Sequence, residues 1–324
     1  MKINLVSRAE NAQDKFSRIL AFILAEYKYF QVAEFSKESF SYNAYPVKPD
    51  NTDTNGSRRD INGVLSNFVY SPSNGAATQK TYGYEYLIDR AYLEDLNVNT
   101  TNDGLKRQIE NEQIRLAKRV AYDVLYDMIN GDGANQILGL STLVKDVASS
   151  AGQVASFGLT AAQLHSCLVQ IGKQLDLASE STLRGFEEDL LKVFAEMSDS
   201  AVLVMNSYMA ARMTTIAKKL NSYTEVKTDF AKPIPAIANH AIVPVPVSVI
   251  PQTESDGVNS DCSSIYVVDF NEADGFRYPT NSGFYFKDFD NLETKPSGKS
   301  RLEFIGNCKL EDPKKFKRLS RIRL

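Results

Sequence analysis

Cysteine and histidine are both scarce in this chain, and their scarcity removes several chemistries at once. The three cysteines, Cys167, Cys262 and Cys308, are far apart and odd in number. Neither a disulfide framework nor a close-spaced metal motif is therefore present, and a reducing compartment is the simpler setting. Only two histidines occur, His165 and His240, and a zinc or non-haem iron site would have to recruit both from distant segments together with a carboxylate. His165 reads as a packed or surface residue of a helix; His240, in Asn239-His240-Ala241, reads as a turn position ahead of a β-like run. Neither a Gly-x-Ser-x-Gly elbow nor a Gly-x-x-x-x-Gly-Lys loop occurs, so no catalytic, cofactor-binding or metal residue is assigned. Long apolar runs are missing as well. The longest, Ile19 to Ala25, has seven residues against the roughly 18–20 needed to cross a bilayer, so neither a membrane span nor a secretory signal is expected. No one sign of charge dominates. Lys+Arg 37 against Asp+Glu 40 leaves a net charge of −3, which argues against a general electrostatic nucleic-acid binder and confines any polynucleotide contact to a local patch.

What remains is an ordinary globular composition, 43% hydrophobic and 24% charged, over 324 residues. That length suits two domains or one large irregular one. Asn51-Thr-Asp53-Thr-Asn55-Gly56 followed by Asn62 has the oxygen ligands and glycine of a calcium loop. Asn51 replaces the usual first aspartate and Asn62 the bidentate glutamate, so a solvated loop tip is the better reading. Gly131-Asp132-Gly133 follows a helix instead of a strand, and a left-handed glycine ending that helix explains it better than a phosphate cradle.

Periodicity organises the rest. Residues Ala9 to Phe30 place Phe16, Ile19, Leu20, Ile23, Leu24 and Tyr27 at helical spacing, which predicts an amphipathic helix whose stripe packs on its own chain or on a neighbour. From Phe40 to Asp95 the pattern is strand-like: Ser41–Val47, Gly63–Tyr70, and Thr81–Leu93 with alternating Tyr82, Tyr84, Tyr86 and Ile88, around an exposed Pro49–Asp60 tip. Two arms of about 14 residues would reach roughly 45 Å, against a radius of gyration near ~20 Å for a compact chain of this length. Such a hairpin projects and asks for a partner surface. Thr101–Asn130 is the clearest helix, with Leu105, Ile109, Leu116, Val120, Val124 and Met128 on one stripe broken by Gln113. Lys106–Glu110 and Arg119–Asp123 can pair on its other faces, Asn102 or Asp103 can cap its start, and Gly131 or Gly133 can end it.

Beyond Leu140 helices and strands alternate without a regular βαβ repeat, an α+β pattern that disfavours a doubly wound cofactor domain. Helices are expected over Ala161–Leu177 with Thr160 as N-cap, Phe186–Glu196 and Ser207–Leu220. Strands are expected over Ala201–Met205, Ser264–Phe270, Gly283–Phe289 and Arg301–Lys309. Ala241–Ile250, with Pro244, Pro246 and Pro251 in or beside it, reads as extended but not as a regular central strand. In the last fourteen residues Lys314, Lys315, Lys317, Arg318, Arg321 and Arg323 face only Glu311 and Asp312. This reads as a solvated edge, with a local nucleic-acid or acidic subunit contact at Lys314, Lys315, Lys317 and Arg318 as the functional alternative.

Several stretches, taken in order, carry a family resemblance. Tyr82-Gly83-Tyr84-Glu85-Tyr86-Leu87-Ile88-Asp89-Arg90 looks like a strand returning from an extended loop towards a spine helix. Met128-Ile129-Asn130-Gly131-Asp132-Gly133 with Ile137-Leu138-Gly139-Leu140 is similar to a segment leaving that spine. Ala201 to Asn206 with helical Ser207 to Leu220, then Ser264 to Phe270, and Arg301 to Lys309 with Pro313 to Leu319, follow as later strands and a closing segment. In this order the chain resembles the major capsid proteins of tailed bacteriophages, the Hong Kong ninety-seven (HK97-like) fold.

The resemblance implies an N-terminal arm at 1–40, an extended loop at 41–98, a peripheral domain at 99–147 and 276–324, and an axial domain at 148–275. It also implies self-assembly through pentamers and hexamers into an icosahedral shell around a double-stranded DNA genome, in a virion assembled in the host cytoplasm. Portal and other virion proteins, a scaffold or maturation protease, and packaged DNA through weak local contacts are the implied partners. No cofactor, covalent cross-link or membrane contact is assigned. Arg58, Arg59 and Asp60 at the loop tip are the candidate rim charges for a neighbouring subunit. Two other readings compete: an encapsulin-like nanocompartment shell with protein cargo, and a soluble α+β hydrolase using carboxylates such as Glu187, Glu188 and Asp189.

Overall fold

Apolar spacing near the N-terminus produces three short helices where one is expected: α1 (Leu5–Glu10), α2 (Lys15–Glu26) and α3 (Tyr29–Val32). The computed structural model describes residues 5–10, 15–37, 43–47, 73–89, 103–226, 233–271, 275–289 and 297–324. The break after Glu26 is closed locally. Tyr27 N–H donates to the Ile23 carbonyl (2.9 Å) and Gln31 Nε2 to that of Leu24 (2.7 Å), so the exposed end of α2 keeps its acceptors satisfied. Ile19, Leu20, Ile23 and Leu24 are buried in this chain's own core, as are Tyr29, Phe30 and Phe35. The apolar stripe of α2 therefore packs on its own chain. β1 (Phe35–Lys37) then runs parallel to the strand Phe276–Phe289.

β2 (Asn43–Val47) pairs antiparallel with β3 (Ser73–Ala77). β4 (Lys80–Asp89) does not continue that ribbon. It lies antiparallel to Ser297–Gly306, Lys80 opposite Gly306 and Asp89 opposite Ser297. The tyrosine alternation supplies the reason, because one face of β4 turns to its own subunit. Tyr82 Oη accepts from Ile137 N–H (2.9 Å) and Tyr84 Oη donates to Asp123 (3.1 Å), while on the opposite face Glu85 pairs with Lys299 and Arg301. The expected strand Gly63–Tyr70 and the Asn51–Asn62 loop lie outside the described residues.

α4 (Asp103–Asn130), 28 residues long and so about 42 Å, is the spine. Ile109, Ala117, Val120, Val124 and Met128 are buried as the stripe requires. Gln113, the polar interruption, is buried too, because its Nε2 donates to Ser300 Oγ (2.6 Å). The helix ends as expected at its glycines. A Cβ on Gly131 would sit 2.0 Å from the Ile137 carbonyl oxygen, and Gly133 holds φ +79°, so the first is demanded by close approach and the second by left-handed backbone.

α5 (Leu140–Leu143) and α6 (Ala161–Ser166) follow. Thr160 caps α6 through a capping box with Gln163, but the helix expected to reach Leu177 stops at Ser166. Leu168–Gln170 becomes β5, parallel to the C-terminal strand with Leu168 opposite Arg318. A tertiary sheet edge overrides the local helical spacing there. α7 (Glu180–Ala195) starts earlier than expected, on a Ser179 cap; β6 (Val202–Asn206) leads into α8 (Ser207–Lys219), capped by Asn206.

The remaining strands are β7 (Tyr223–Val226), β8 (Ile234–Ile237), β9 (His240–Val245), β10 (Cys262–Val268), β11 (Phe276–Phe289), β12 (Ser297–Gly306), β13 (Lys309–Leu310) and β14 (Phe316–Arg323). Among the described residues, β1, β11, β12 and β4 form one sheet in that order, with β13 beside β11. A seven-stranded sheet runs β5-β14-β10-β6-β9-β8-β7. Two expectations fail here. β9 is interior despite Pro244; its pairing with β8 covers only Ala241 and His240, so Pro244 sits where β6 alone flanks the strand and no second ladder needs its N–H. His240 is not in the turn, which is made by Ala238 and Asn239 at φ +49° and +69°. It is buried, stacked 3.8 Å from Phe194, with Nδ1 2.9 Å from the Ala201 carbonyl.

The seven-stranded sheet is buried on both faces. Val202, Val204, Tyr266 and Val268 point to a core shared with α2, α3, the spine and the β11–β12 sheet. Leu203, Met205, Ile265 and Val267, one residue out of phase, point to a second core under α7 and α8. Period-two alternation of apolar residues on both faces explains why these strands read as continuous hydrophobic runs.

Candidate functional site

The basic C-terminus is where sequence and structure differ most. Only Lys314 stands exposed. Lys315 Nζ is 2.8 Å from Asp269, whose side chain is fully buried, and Lys317 Nζ reaches Glu196 (2.9 Å) and the Ser166 carbonyl (3.3 Å). Arg318 is buried and lies in the middle of a sheet, not at a solvated edge. Its Nε donates to Ser264 Oγ (2.9 Å), its Nη1 to the Ser141 and Val144 carbonyls (2.9 and 2.6 Å), and its Nη2 to Glu254 (2.6 Å), with the guanidinium 5.6 Å from the Tyr266 ring centre. The physical reason is period two. Phe316, Arg318 and Ser320 fall on a face that must be buried, and the arginine fork satisfies acceptors that would otherwise be stranded there.

A second carboxylate completes the staple. Asp146 accepts from Arg321 Nε (2.9 Å), Ser320 Oγ (3.0 Å) and Gln170 Nε2 (2.8 Å). Arg321 holds φ +63°, and the pairing with β10 slips by one residue at that bulge, which turns Leu319 and Ile322 both into the α7–α8 core. Burial raises the Asp146 carboxyl, but hydrogen bonds from Arg321, Gln170 and Ser320 outweigh it and hold it below the usual range. Asp269 follows the same balance, with burial opposed by Lys315, Ser198 and Ser200. Burial lowers the Arg318 guanidinium while Tyr266 and Glu254 raise it, and the net is upward. Tyr266 itself is pushed up to about 12, chiefly by burial. These groups hold protons and charges fixed; they join the segment leaving the spine to the last strand.

The other candidates fall apart in space or in accessibility. Arg58, Arg59 and Asp60 lie outside the described residues. Asp189 is engaged by Lys173 (2.5 Å) and Lys192 (3.7 Å), while Glu188 is exposed on the wet face of α7. His165 and His240 stand on different elements, α6 and β9, and among the described residues no group of three or more His, Cys, Asp or Glu could hold a metal ion. No helix among the described residues is long and apolar enough to cross a membrane.

What the surface does offer is edges and aromatic faces. β4 is the last strand of its sheet, and no described strand pairs with its outer edge, a template for further strand pairing. Tyr84, Leu87, Phe22 and Tyr126 are large apolar side chains left exposed on β4, α2 and the spine. Sequence reasoning did not anticipate the aromatic knot beneath them, where Tyr29, Phe30, Phe35, Tyr278, Phe284 and Phe304 interlock and the Tyr29 and Tyr278 hydroxyls meet at 2.5 Å. The density of Tyr and Phe between residues 27 and 35 was its only local signal.

No family model and no curated protein matches the sequence. Solved structures do match the fold. The capsid of the native GTA particle is 17% identical, with a TM-score of 0.57 over 93% of this chain and 90% of that chain. The cyanophage A-1(L) capsid asymmetric unit is 9% identical, with a TM-score of 0.54 over 92% and 93%. The holo-SrpI encapsulin complex from Synechococcus elongatus PCC 7942 is 9% identical, with a TM-score of 0.53 over 90% and 86%. Together with the long helix α4 and the double-faced seven-stranded sheet, these likenesses give this chain the Hong Kong ninety-seven (HK97-like) fold.

Proposed function

We propose that this chain is a major capsid protein, the subunit that builds through pentamers and hexamers the icosahedral shell around a tailed-phage double-stranded DNA genome. The observation that carries the reading is coverage: the likeness to the GTA capsid takes in 93% of this chain and 90% of that one, leaving little of either outside the shared fold. A shell subunit needs no active site. It needs patches that repeat by rotation, and many modest contacts made together give the strength. Exposed tyrosines and a β4 edge that no described strand pairs are suited to such contacts.

In this reading residues 1–40 are an arm, 41–98 the extended loop, 99–147 and 276–324 the peripheral domain, and 148–275 the axial domain. The pairing of β14 with β10, which also pairs β6, supports grouping residues 316–323 with the axial segment in this reading. Arg58, Arg59 and Asp60 serve as rim charges for a neighbour; portal, scaffold, protease and DNA are the further partners, and assembly takes place in the host cytoplasm. Negative-stain microscopy with light scattering on the expressed chain, with and without co-expressed assembly partners, tests the reading. Closed particles are expected; a persistent 36.1 kDa monomer under every condition overturns it. The SrpI likeness supports one second reading, a nanocompartment shell, and particle contents separate the two, packaged DNA against protein cargo.

A further inference from the structure

The spine helix carries its own candidate for the genome-facing surface, once the C-terminal cations are seen to be engaged inside the subunit. At about 100° per residue, the side of α4 opposite Val120, Val124 and Met128 is a crest on which Asn111, Arg115, Arg119, Tyr122 and Tyr126 fall, with Arg107 one side of it at the N-terminal end. The arginines stand far into solvent, 76% exposed for Arg115 and 66% for Arg119. Tyr126 is 41% exposed and stacks on Tyr122 with ring centres 6.4 Å apart. Carboxylates sit off the crest, on its flanks: Arg115 reaches Glu112 at 2.9 Å, Arg119 reaches Asp123 at 3.2 Å, and Lys118 reaches Glu26 at 2.8 Å. Exposed pairs of this kind add little to stability and exchange readily for a stronger anion.

We propose that this arginine–tyrosine crest of α4 is a binding surface for the phosphate backbone of double-stranded DNA. The inference rests on the shell reading for its biological setting, but its chemistry is independent of it. Arg115 and Arg119 stand on one face of the helix, with Arg107 to its side and their paired carboxylates Glu112 and Asp123 on the flank, so an approaching polyanion meets guanidinium groups at the crest. Planar guanidinium groups take phosphate oxygens in pairs, and the exposed Tyr126 adds a neutral donor beside them, while Tyr122, whose hydroxyl donates to Ser248 Oγ (2.9 Å), supports the Tyr126 ring from below. Two other helices with cations, α7 and α8, do not offer this. On α7, Arg184 and Lys192 share their turns with Glu180, Glu188 and Asp189. On α8, Arg212 and Lys219 are directed to the Leu175 and Leu177 carbonyls.

Fluorescence anisotropy of a short DNA duplex with unassembled full-length subunits, at about 50 and about 200 mM salt, reads the proposal. The Arg107→Gln/Arg115→Gln/Arg119→Gln variant is expected to bind at least about tenfold more weakly at the lower salt, and to flatten the log–log salt slope by roughly 2–3. Arg115→Lys/Arg119→Lys should keep the slope, and Lys314→Gln should leave both quantities unchanged. Circular dichroism checks that the variants are folded. No duplex binding by the parent chain, or an unchanged affinity and slope in the triple variant, overturns the proposal. So does a triple variant that binds DNA normally but no longer forms particles, because the crest is then a subunit contact. Failure of the parent chain to form particles is a separate result and counts against the shell reading, whatever the duplex shows.

Discussion

At the scale of single residues, Arg318 shows how composition can point to a surface that the backbone then buries. A run of lysine and arginine usually marks a wet face, yet alternate residues of a strand face opposite ways, and one of those faces is core. Replacing Arg318 with methionine keeps the volume but takes from Glu254 its guanidinium partner, leaving it only Ser264 Oγ and the Arg321 N–H, and takes from the Ser141 and Val144 carbonyls the arginine donor. A loss of about 3–5 kcal/mol is expected in urea unfolding of the unassembled subunit, with Arg318→Lys recovering only part because an ammonium lacks the planar fork. A cost below about 1 kcal/mol would show that the staple is decorative. Acidity should act through Asp146 and Asp269, both held below the usual carboxylate range in the folded chain. Their stabilisation is complete above the unfolded value near 4 and disappears as pH falls through the lower folded values. Urea midpoints should therefore stay flat from about pH 7 to about pH 5 and drop below about pH 4, and the Asp146→Asn/Asp269→Asn variant should lose most of that drop.

Elements obey local rules until a sheet edge competes. Thr160 and Asn206 cap their helices as their side chains dictate, and the spine runs from Asp103 to its glycines much as its stripe requires. The helical spacing of Leu164, Leu168, Ile171 and Leu175 nevertheless ends at Ser166, because pairing with β14 offers Leu168–Gln170 a ladder that a helix cannot use. Likewise β7 and β8 were invisible as strands, being four residues each and joined across a segment with no alternation strong enough to mark them. The junction after the spine is where backbone space is tightest: a Cβ on Gly139 would lie 2.5 Å from the Asn130 nitrogen and the Ile129 carbonyl group. Gly139→Ala is expected to cost more than about 3 kcal/mol by forcing the backbone apart. Gly172→Ala, at φ +58° with nothing within 4 Å, should cost only about 1–2 kcal/mol of left-handed strain. Thermal midpoints of the two variants would expose a reversal of that order. Removing residues 312–324 should yield insoluble or unfolded chain, because it deletes an interior strand; a soluble, cooperatively folding truncation would restore the view of the C-terminus as a tail.

Taken whole, the described residues leave the outer edge of β4 without a described partner strand and Tyr84, Leu87 and Tyr126 exposed, a surface suited to a subunit that assembles with copies of itself. Deleting Asp50–Asp60 should leave a folded subunit, with unchanged far-ultraviolet dichroism, that no longer closes into particles; normal particles from that deletion would refute the loop's assembly role. Hydrophobic periodicity, helix caps and glycine placement are local properties, and they determined by themselves the α+β class, the spine helix, and the order of arm, strand segments and later sheet on which the resemblance rests. Pairing partners are not local. Whether β2 meets β3 or β4, whether a basic strand lies at an edge or in the middle of a sheet, and whether Phe30 and Phe35 face a neighbour or their own core depend on which distant backbone supplies the missing hydrogen bonds and the buried area. Only the tertiary structure decided those, because residues more than two hundred positions apart, such as Phe35 and Tyr278, carry no mark of each other in the sequence.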